Sequence, residues 1–267
     1  MISRTANELP AFERLGRTTL VQPRLGGPDS VSVVVPVRNE AGNILPLIEE
    51  IRAALAGEEY EIIYVDDGST DETPAMLREA RSLYPELRTM RHAESCGQST
   101  AIRTGILAAQ GSIIATLDGD GQNDPADLPK LLAAYRSPEA PPDRPMVTGY
   151  RVKRQDTEIR RLSSRVANGI RRKLLGDDTP DTGCGLKVFS REAFLRLPYF
   201  DHMHRFLPAL IQREGFSVVV VPVNHRPRLR GLSKYAIGNR LWVSIIDLFG
   251  VMWLQSRMRR PRVSLED

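Results

Sequence analysis

The sequence predicts an α/β fold in which helices cover both faces of a mostly parallel sheet. Three observations carry that expectation. Short, β-branched apolar runs recur along the chain, segments with apolar residues at helical spacing alternate with them, and acids collect where the apolar runs end. At 267 residues the chain is long enough for one sizeable core, and any second unit has to be small.

The elements follow in order. Residues 1–30 mix Pro, Gly, Arg and Thr without periodicity and read as an N-terminal arm. "VSVVVP" (31–36) is a strand ended by Pro36, and "AGNILPLIEEIRAAL" places Ile44, Leu47, Ile48, Ile51 and Leu55 on one helical face. "EIIYVDDGS" repeats the buried strand, and "STDETPAMLREARSL" is a helix with Ser69 or Thr70 as its N-cap and acids in its first turn. "LRTMRH" is a third strand, "STAIRTGILAAQ" a helix rich in small residues, and "SIIATLD" a fourth strand. Beyond Pro125 come the helix "ADLPKLLAAYRS", the strand "PMVTGYR", the basic helix "RRLSSRVANGIRRKLLG" and the strand "FSVVVVPVNHRP". The main domain is expected to span 31–235, with an amphipathic helix and basic tail at 236–267.

Charge placement says more than the total. Lys plus Arg is 37 against 33 for Asp plus Glu, and a net charge of +4 is too mild to imply a nucleic-acid partner. Basic residues cluster between Arg151 and Lys173 and again in "RMRRPR", so anionic partners are expected at two places. Cys96 and Cys184 cannot build a disulfide framework and the N-terminus lacks an apolar signal region, which predicts a reducing, cytoplasmic location. No run approaches the roughly 20 apolar residues of a spanning helix. The best candidate, Leu241 to Leu254, is too short and contains Asp247.

Ligands of parallel α/β sheets bind beyond the carboxyl ends of the strands. Asn39, Glu40, Asp66, Asp67, Asp118 and Asp120 stand there. In "LDGDGQNDP", Asp118, Asp120 and Gln122 are spaced to present oxygens to one point, and Gly119 and Gly121 ease the turn. Two facing carboxylates repel unless a proton or cation lies between them, and oxygen ligands suit Mg²⁺ or Mn²⁺ holding a diphosphate. A solvated Asp/Gly turn is the plain alternative. A calcium loop of the EF-hand type would need a glutamate at its twelfth position, which is lacking. No G-x-G-x-x-G follows the first strand, which argues against a dehydrogenase.

Taken together, "VVPVRNE", "VDDGSTDET", "CGQSTAIRTGI", "LDGDGQNDP", "DTGCGLK" and "RLRGLSKY" resemble the glycosyltransferase family 2 enzymes, and among them the polyprenyl-phosphate (dolichyl-phosphate-type) branch. The resemblance runs from about Val31 to Tyr235 and implies a Rossmann-like sheet of the GT-A type. It implies that Pro36, Glu40, Asp66, Asp67, Gly97, Gln98, Asp118 and Ser233 hold a nucleotide-sugar donor. Asp118, Asp120 and Gln122 match the metal motif, and Arg228, Ser233 and Lys234 match R-x-x-G-x-S-K over the diphosphate. Arg151, Arg160 and Ser164 match the acceptor-phosphate loop, and Asp181 stands for an acid close to the reaction centre, with Leu186 and Lys187 where an aromatic residue and Arg are commoner.

The implied reaction is attack by a lipid-linked phosphate on the anomeric carbon, with inversion and departure of a nucleoside diphosphate. Asp120, Asp181, Arg228 and Lys234 form the implied catalytic set. A polyprenyl phosphate acceptor requires access to the bilayer. Trp242, Ile246, Phe249 and Trp253 share one side of a helix, Arg240, Ser244 and Asp247 another, so the C-terminal segment either lies on the cytoplasmic membrane face or packs on the domain or a second subunit. The competing expectations are a family 2 transferase with a polysaccharide or soluble acceptor, which needs Asp181 as a base, and a non-catalytic module that binds nucleotide sugars or lipid surfaces.

Overall fold

The computed structural model describes Leu25, residues 27–139, 146–152, Gly169, 171–177, 179–227 and 238–259. Most of the N-terminal arm, most of the basic helix, the end of the tail, and Arg160, Ser164, Arg228, Ser233 and Lys234 lie outside these residues. Among the described residues the strands are β1 (Val31–Val37), β2 (Tyr60–Asp66), β3 (Leu87–Arg91), β4 (Ile113–Thr116), β5 (Met146–Arg151), β6 (Lys187–Ser190) and β7 (Val218–Val223). The helices are α1 (Ile44–Ala54), α2 (Thr73–Leu83), α3 (Gln98–Ala108), α4 (Leu128–Arg136), α5 (171–175), α6 (Arg191–Leu195), α7 (Leu207–Arg213) and α8 (Gly238–Arg257).

The strands form a seven-stranded sheet in the order β3-β2-β1-β4-β6-β5-β7. β1 pairs in parallel with β2 and β4, β2 with β3, and β5 with β7. Alternate residues of β1 enter different cores. Val31, Val33, Val35 and Val37 pack with α1, α2 and α4, whereas Val34 faces α3, α6 and α7. Burial on both faces is why these strands are continuously apolar, as the sequence indicates.

β6 departs from the sequence reading, which found no strand there. It runs antiparallel to β4 and β5, with Lys187 in register with Thr116 and Thr148. Four residues that begin with Lys and end with Ser carry little periodic signal. The reversal matters for function. Because β6 runs against its neighbours, the segment that leads into it, Asp181 to Leu186, arrives at the same edge as the carboxyl ends of β1, β2 and β4.

The start of α2 also differs from expectation. Its N-cap is Glu72, without a side-chain cap bond, and the Thr73 N–H donates to Asp71 Oδ1 at 2.9 Å. Asp71 and Glu72 thus precede the first turn rather than occupy it. Ser69 and Thr70 are engaged by Asn39, a non-glycine residue at φ 54°: its backbone N–H donates to Ser69 Oγ at 2.8 Å, and its Oδ1 accepts from the Thr70 N–H at 2.7 Å. These bonds join the loop after β1 to the loop after β2, and that competition outweighs local capping.

α8 has two apolar faces. Val251 is fully buried, with Leu248, Met252 and Leu254 packed against the α3/α7 side of the core, while Ile246, Phe249 and Trp253 are 68%, 61% and 58% exposed. Asp247 is turned inward, its Oδ2 3.3 Å from His202 Nδ1. Among the described residues no helix is long and apolar enough to cross a membrane. Cys96 and Cys184 are free thiols, the first exposed and the second buried.

Candidate active site

A cavity of about 440 Å³ opens at the carboxyl edge of the sheet. Pro36 of β1 and the end of β4 through Asp118 form one side, Gln98 at the start of α3 another, and Arg151 with the Asp181–Gly185 segment a third. The structure thus brings Pro36, Gln98, Asp118, Arg151 and Asp181 together although they span most of the chain.

Asp118 sits half-buried at the end of β4. Its Oδ1 accepts from Gln98 Nε2 at 2.8 Å, and its own N–H donates to Asn123 Oδ1 at 2.8 Å. Gly185 makes room for it: a Cβ at that position would lie 2.4 Å from Asp118 Oδ2 and 2.7 Å from Asn123 Oδ1. Desolvation, and second to it the negative charge of Asp120, push the Asp118 carboxyl up to about 6, against the opposing pull of Lys187, Arg151 and the Gln98 hydrogen bond. Asp120 Oδ1 accepts from the Gln122 N–H at 3.0 Å, and φ at Gly121 is 75°, a left-handed turn that glycine enters without strain. The carboxylates of Asp118 and Asp120, the second close enough to raise the first, are a fitting donor set for a hard divalent cation.

The acids after β2 are turned into the protein. Asp67 Oδ1 accepts from the Cys96 N–H at 2.7 Å and lies 2.8 Å from His92 Nδ1, while its Oδ2 accepts from Ser95 Oγ at 2.7 Å and the Gly97 N–H at 3.0 Å. Burial alone would raise the Asp67 carboxyl, but His92, Cys96, Ser95 and Gly97 outweigh it and hold it below the usual range. Asp67 therefore organises the turn that delivers Gly97 and Gln98 to the start of α3. Asp66, 1% exposed, accepts from the Ser69 N–H at 2.8 Å and pairs with Arg91 Nε at 3.3 Å. Glu40 Oε2 accepts from Asn43 Nδ2 at 2.7 Å.

Arg151 and Asp181 form a fork-to-carboxylate pair, Nε to Oδ2 at 2.6 Å and Nη2 to Oδ1 at 2.8 Å. Sequence reasoning assigned them to separate tasks, acceptor binding and the reaction centre, and missed that they hold each other. It also gave no role to Lys187, His204 and Arg205, which line the cavity. Lys187 is buried, its ammonium donates to the Cys184 carbonyl, and desolvation lowers its pKa despite the nearby Cys184, Asp118 and Asp181. Its place at the end of the "DTGCGLK" block was the available signal. His204 and Arg205 had none, since a short 3-10 turn (Met203–Arg205) and the bond between His204 Nδ1 and Ser99 Oγ at 2.7 Å bring them in.

Comparison with known proteins agrees with this geometry. Residues 32–197 match the family model described as glycosyl transferase family 2. The dodecaprenyl-phosphate galacturonate synthase of Rhizobium johnstonii is 34% identical over 257 residues, covering 91% of this chain and 74% of that protein. The undecaprenyl-phosphate 4-deoxy-4-formamido-L-arabinose transferase of Edwardsiella ictaluri is 34% identical over 78% of this chain, which spans 63% of that relative's length. Among solved structures, glucosyl-3-phosphoglycerate synthase from Mycobacterium tuberculosis with UDP superimposes with a TM-score of 0.61 at 20% identity, covering 88% of this chain and 83% of that one. A mannosyltransferase from Pyrobaculum calidifontis, in complex with GDP-Man and Mn²⁺, gives 0.57 at 19% identity over 94% of this chain and 71% of that one. At such identities the superpositions establish the GT-A fold. The family match over most of the sheet and the extended similarity to the Rhizobium enzyme go further: this chain belongs to glycosyl transferase family 2.

Proposed function

We propose that the chain transfers a sugar from a UDP- or GDP-sugar to a polyprenyl phosphate at the cytoplasmic face of the membrane, with inversion at the anomeric carbon. One observation carries this reading: Asp118, Gln98 and the Arg151–Asp181 pair converge on a single cavity at the ligand-binding edge of the sheet. The names of the relatives, two polyprenyl-phosphate enzymes, supply the acceptor class.

The acceptor needs no strong base. A phosphate monoester has a second pKa of about 6 and is already mostly dianionic at neutral pH. Asp181 then serves to aim Arg151, whose guanidinium meets the acceptor phosphate and holds its attacking oxygen toward the sugar. This favours a phosphate acceptor over a sugar hydroxyl, which would call for a base. Mg²⁺ or Mn²⁺, held by Asp118, Asp120 and Gln122, would neutralise charge on the departing diphosphate. By the family resemblance Arg228, Ser233 and Lys234 add donors to that diphosphate, and Arg160 and Ser164 complete the acceptor site. The catalytic unit is residues 31–235.

The lipid acceptor is reached through α8. Its outward face presents Ile246, Phe249 and Trp253, followed by Arg257 and Arg259, a composition suited to an anionic bilayer surface. The test is transfer of radiolabel from a panel of UDP- and GDP-sugars, with Mg²⁺ or Mn²⁺, to undecaprenyl phosphate in vesicles. Label should become extractable into organic solvent with an inverted anomeric linkage. Hydrolysis alone, or transfer only to a water-soluble sugar, would overturn the assignment.

A further inference from the structure

We propose that Arg226 is a positioning residue that locks the metal-binding loop of the donor site to the strand that leads into the diphosphate-binding segment, an inference that rests on the donor site proposed above. Arg226 lies outside the R-x-x-G-x-S-K block, two residues before its first arginine.

The loop after β4 and the exit of β7 are joined by a run of contacts. Asn123 and His225 form an isolated antiparallel bridge. The Arg226 N–H donates to the Gln122 carbonyl at 3.0 Å, and the Asn224 N–H donates to Asp127 Oδ2 at 2.7 Å. Lys130 Nζ closes the far end on the Pro222 carbonyl at 2.7 Å. The bridge and the Arg226 N–H bond fix the register of the two segments, and the Asp127 and Lys130 side chains extend the seam to the start of α4.

The Arg226 side chain adds a third body. Its Nη1 donates to Glu50 Oε2 on α1 at 2.7 Å, and its Nη2 donates to Asp124 Oδ1. Asp124 Oδ1 also accepts from the Ala126 N–H at 3.0 Å, so the same oxygen caps the short helix that follows the loop. One guanidinium therefore ties the loop, the β7 exit and α1 together. Asn123, between these contacts and the site, accepts from the Asp118 N–H. The chain of contacts thus runs from Arg226 through Asp124 and Asn123 to Asp118. Charge-assisted forks hold geometry better than single neutral bonds, and ligand shells loosen when their outer partners are removed.

The experiment compares the full chain with Arg226→Ala, Arg226→Lys and Glu50→Gln. Hydrogen exchange of peptides covering 118–124, Mn²⁺ affinity by calorimetry, and the melting temperature are measured for each. Arg226→Ala should speed exchange in this loop selectively and weaken Mn²⁺ binding by about tenfold or more, the scale seen when outer-shell partners of metal ligands are lost. Arg226→Lys should fall between, and Glu50→Gln should show a smaller effect of the same sign with the fold intact. Unchanged loop exchange and Mn²⁺ affinity in Arg226→Ala, or in Glu50→Gln and Arg226→Lys if the alanine variant does not fold, would overturn the proposal. If the unsubstituted chain itself fails to bind Mn²⁺, the metal reading falls and the positioning role is decided by loop exchange alone.

Discussion

Arg151 grips Asp181 with both arms of its guanidinium, at 2.6 and 2.8 Å, and the Arg151 backbone N–H lies 3.3 Å from the same carboxylate. Each oxygen of Asp181 is thereby engaged by Arg151. A carboxylate so placed is an anchor for a cation, and its side chain is 5% exposed.

Asp181→Asn keeps one oxygen for the guanidinium and should retain measurable turnover, whereas Asp120→Ala should lose at least about 100-fold through loss of charge stabilisation at the leaving group. Asp181→Ala is the harsher change because it strands a largely buried guanidinium, at a cost of about 3 kcal/mol in urea unfolding. Radiolabel transfer measured beside the unfolding curves separates the two effects. Equal loss in Asp181→Asn and Asp120→Ala would mean that Asp181 removes a proton after all.

The raised carboxyl of Asp118 predicts a pH dependence of folding. A carboxyl at about 6 in the folded chain, against about 3.9 unfolded, binds its proton more tightly when folded. Its contribution is therefore greatest below the unfolded value and is lost as pH rises from about 4 to about 6. In metal-free buffer Asp118→Asn should remove this slope, as read from denaturant midpoints across that range, and Asp120→Asn should reduce it by deleting the like charge. An identical slope in Asp118→Asn would assign the dependence to another group.

Gly185→Ala tests the close approach of the "DTGCGLK" segment to the loop after β4. With the new Cβ 2.4 Å from Asp118 Oδ2, the carboxylate or the segment has to shift. Overpacking of this kind costs about 1–3 kcal/mol. Activity should fall much further than stability, because the displaced atom belongs to the proposed metal site. Transfer rates and melting temperatures on the same preparations provide the check.

The two faces of α8 should respond oppositely. Replacing Ile246, Phe249 and Trp253 by Ser should leave the melting temperature nearly unchanged while abolishing flotation with anionic vesicles. Val251→Ser, at a fully buried site, should cost about 1–3 kcal/mol through lost packing and a buried hydroxyl. Flotation that survives the triple substitution would place the lipid contact elsewhere.

The parallel half of the fold was legible because β1, β2 and β4 are buried on both faces and read as unbroken apolar runs. β6 was not, since its four residues acquire strand character only from β4 and β5 on either side. The capping of α2 was misread for a similar reason: Ser69 and Thr70 are local candidates, but Asn39, some thirty residues earlier in the chain, claims them. In the site, residue types were readable and partners were not. The sequence announces that Asp67 and Asp181 matter, while only the folded chain reveals that one gathers a turn and the other aims an arginine.

The bonds that Asp67 gathers from Ser95, Cys96 and Gly97 have a thermodynamic consequence for ligand exchange. Those bonds hold the turn ahead of α3 in place, so a donor that docks there as proposed would have little loop freedom left to extinguish. Each rotamer-rich side chain frozen on association would otherwise subtract about 0.5–1.5 kcal/mol from affinity. By fixing that turn, Asp67 would lower the entropic barrier to holding the proposed sugar nucleotide.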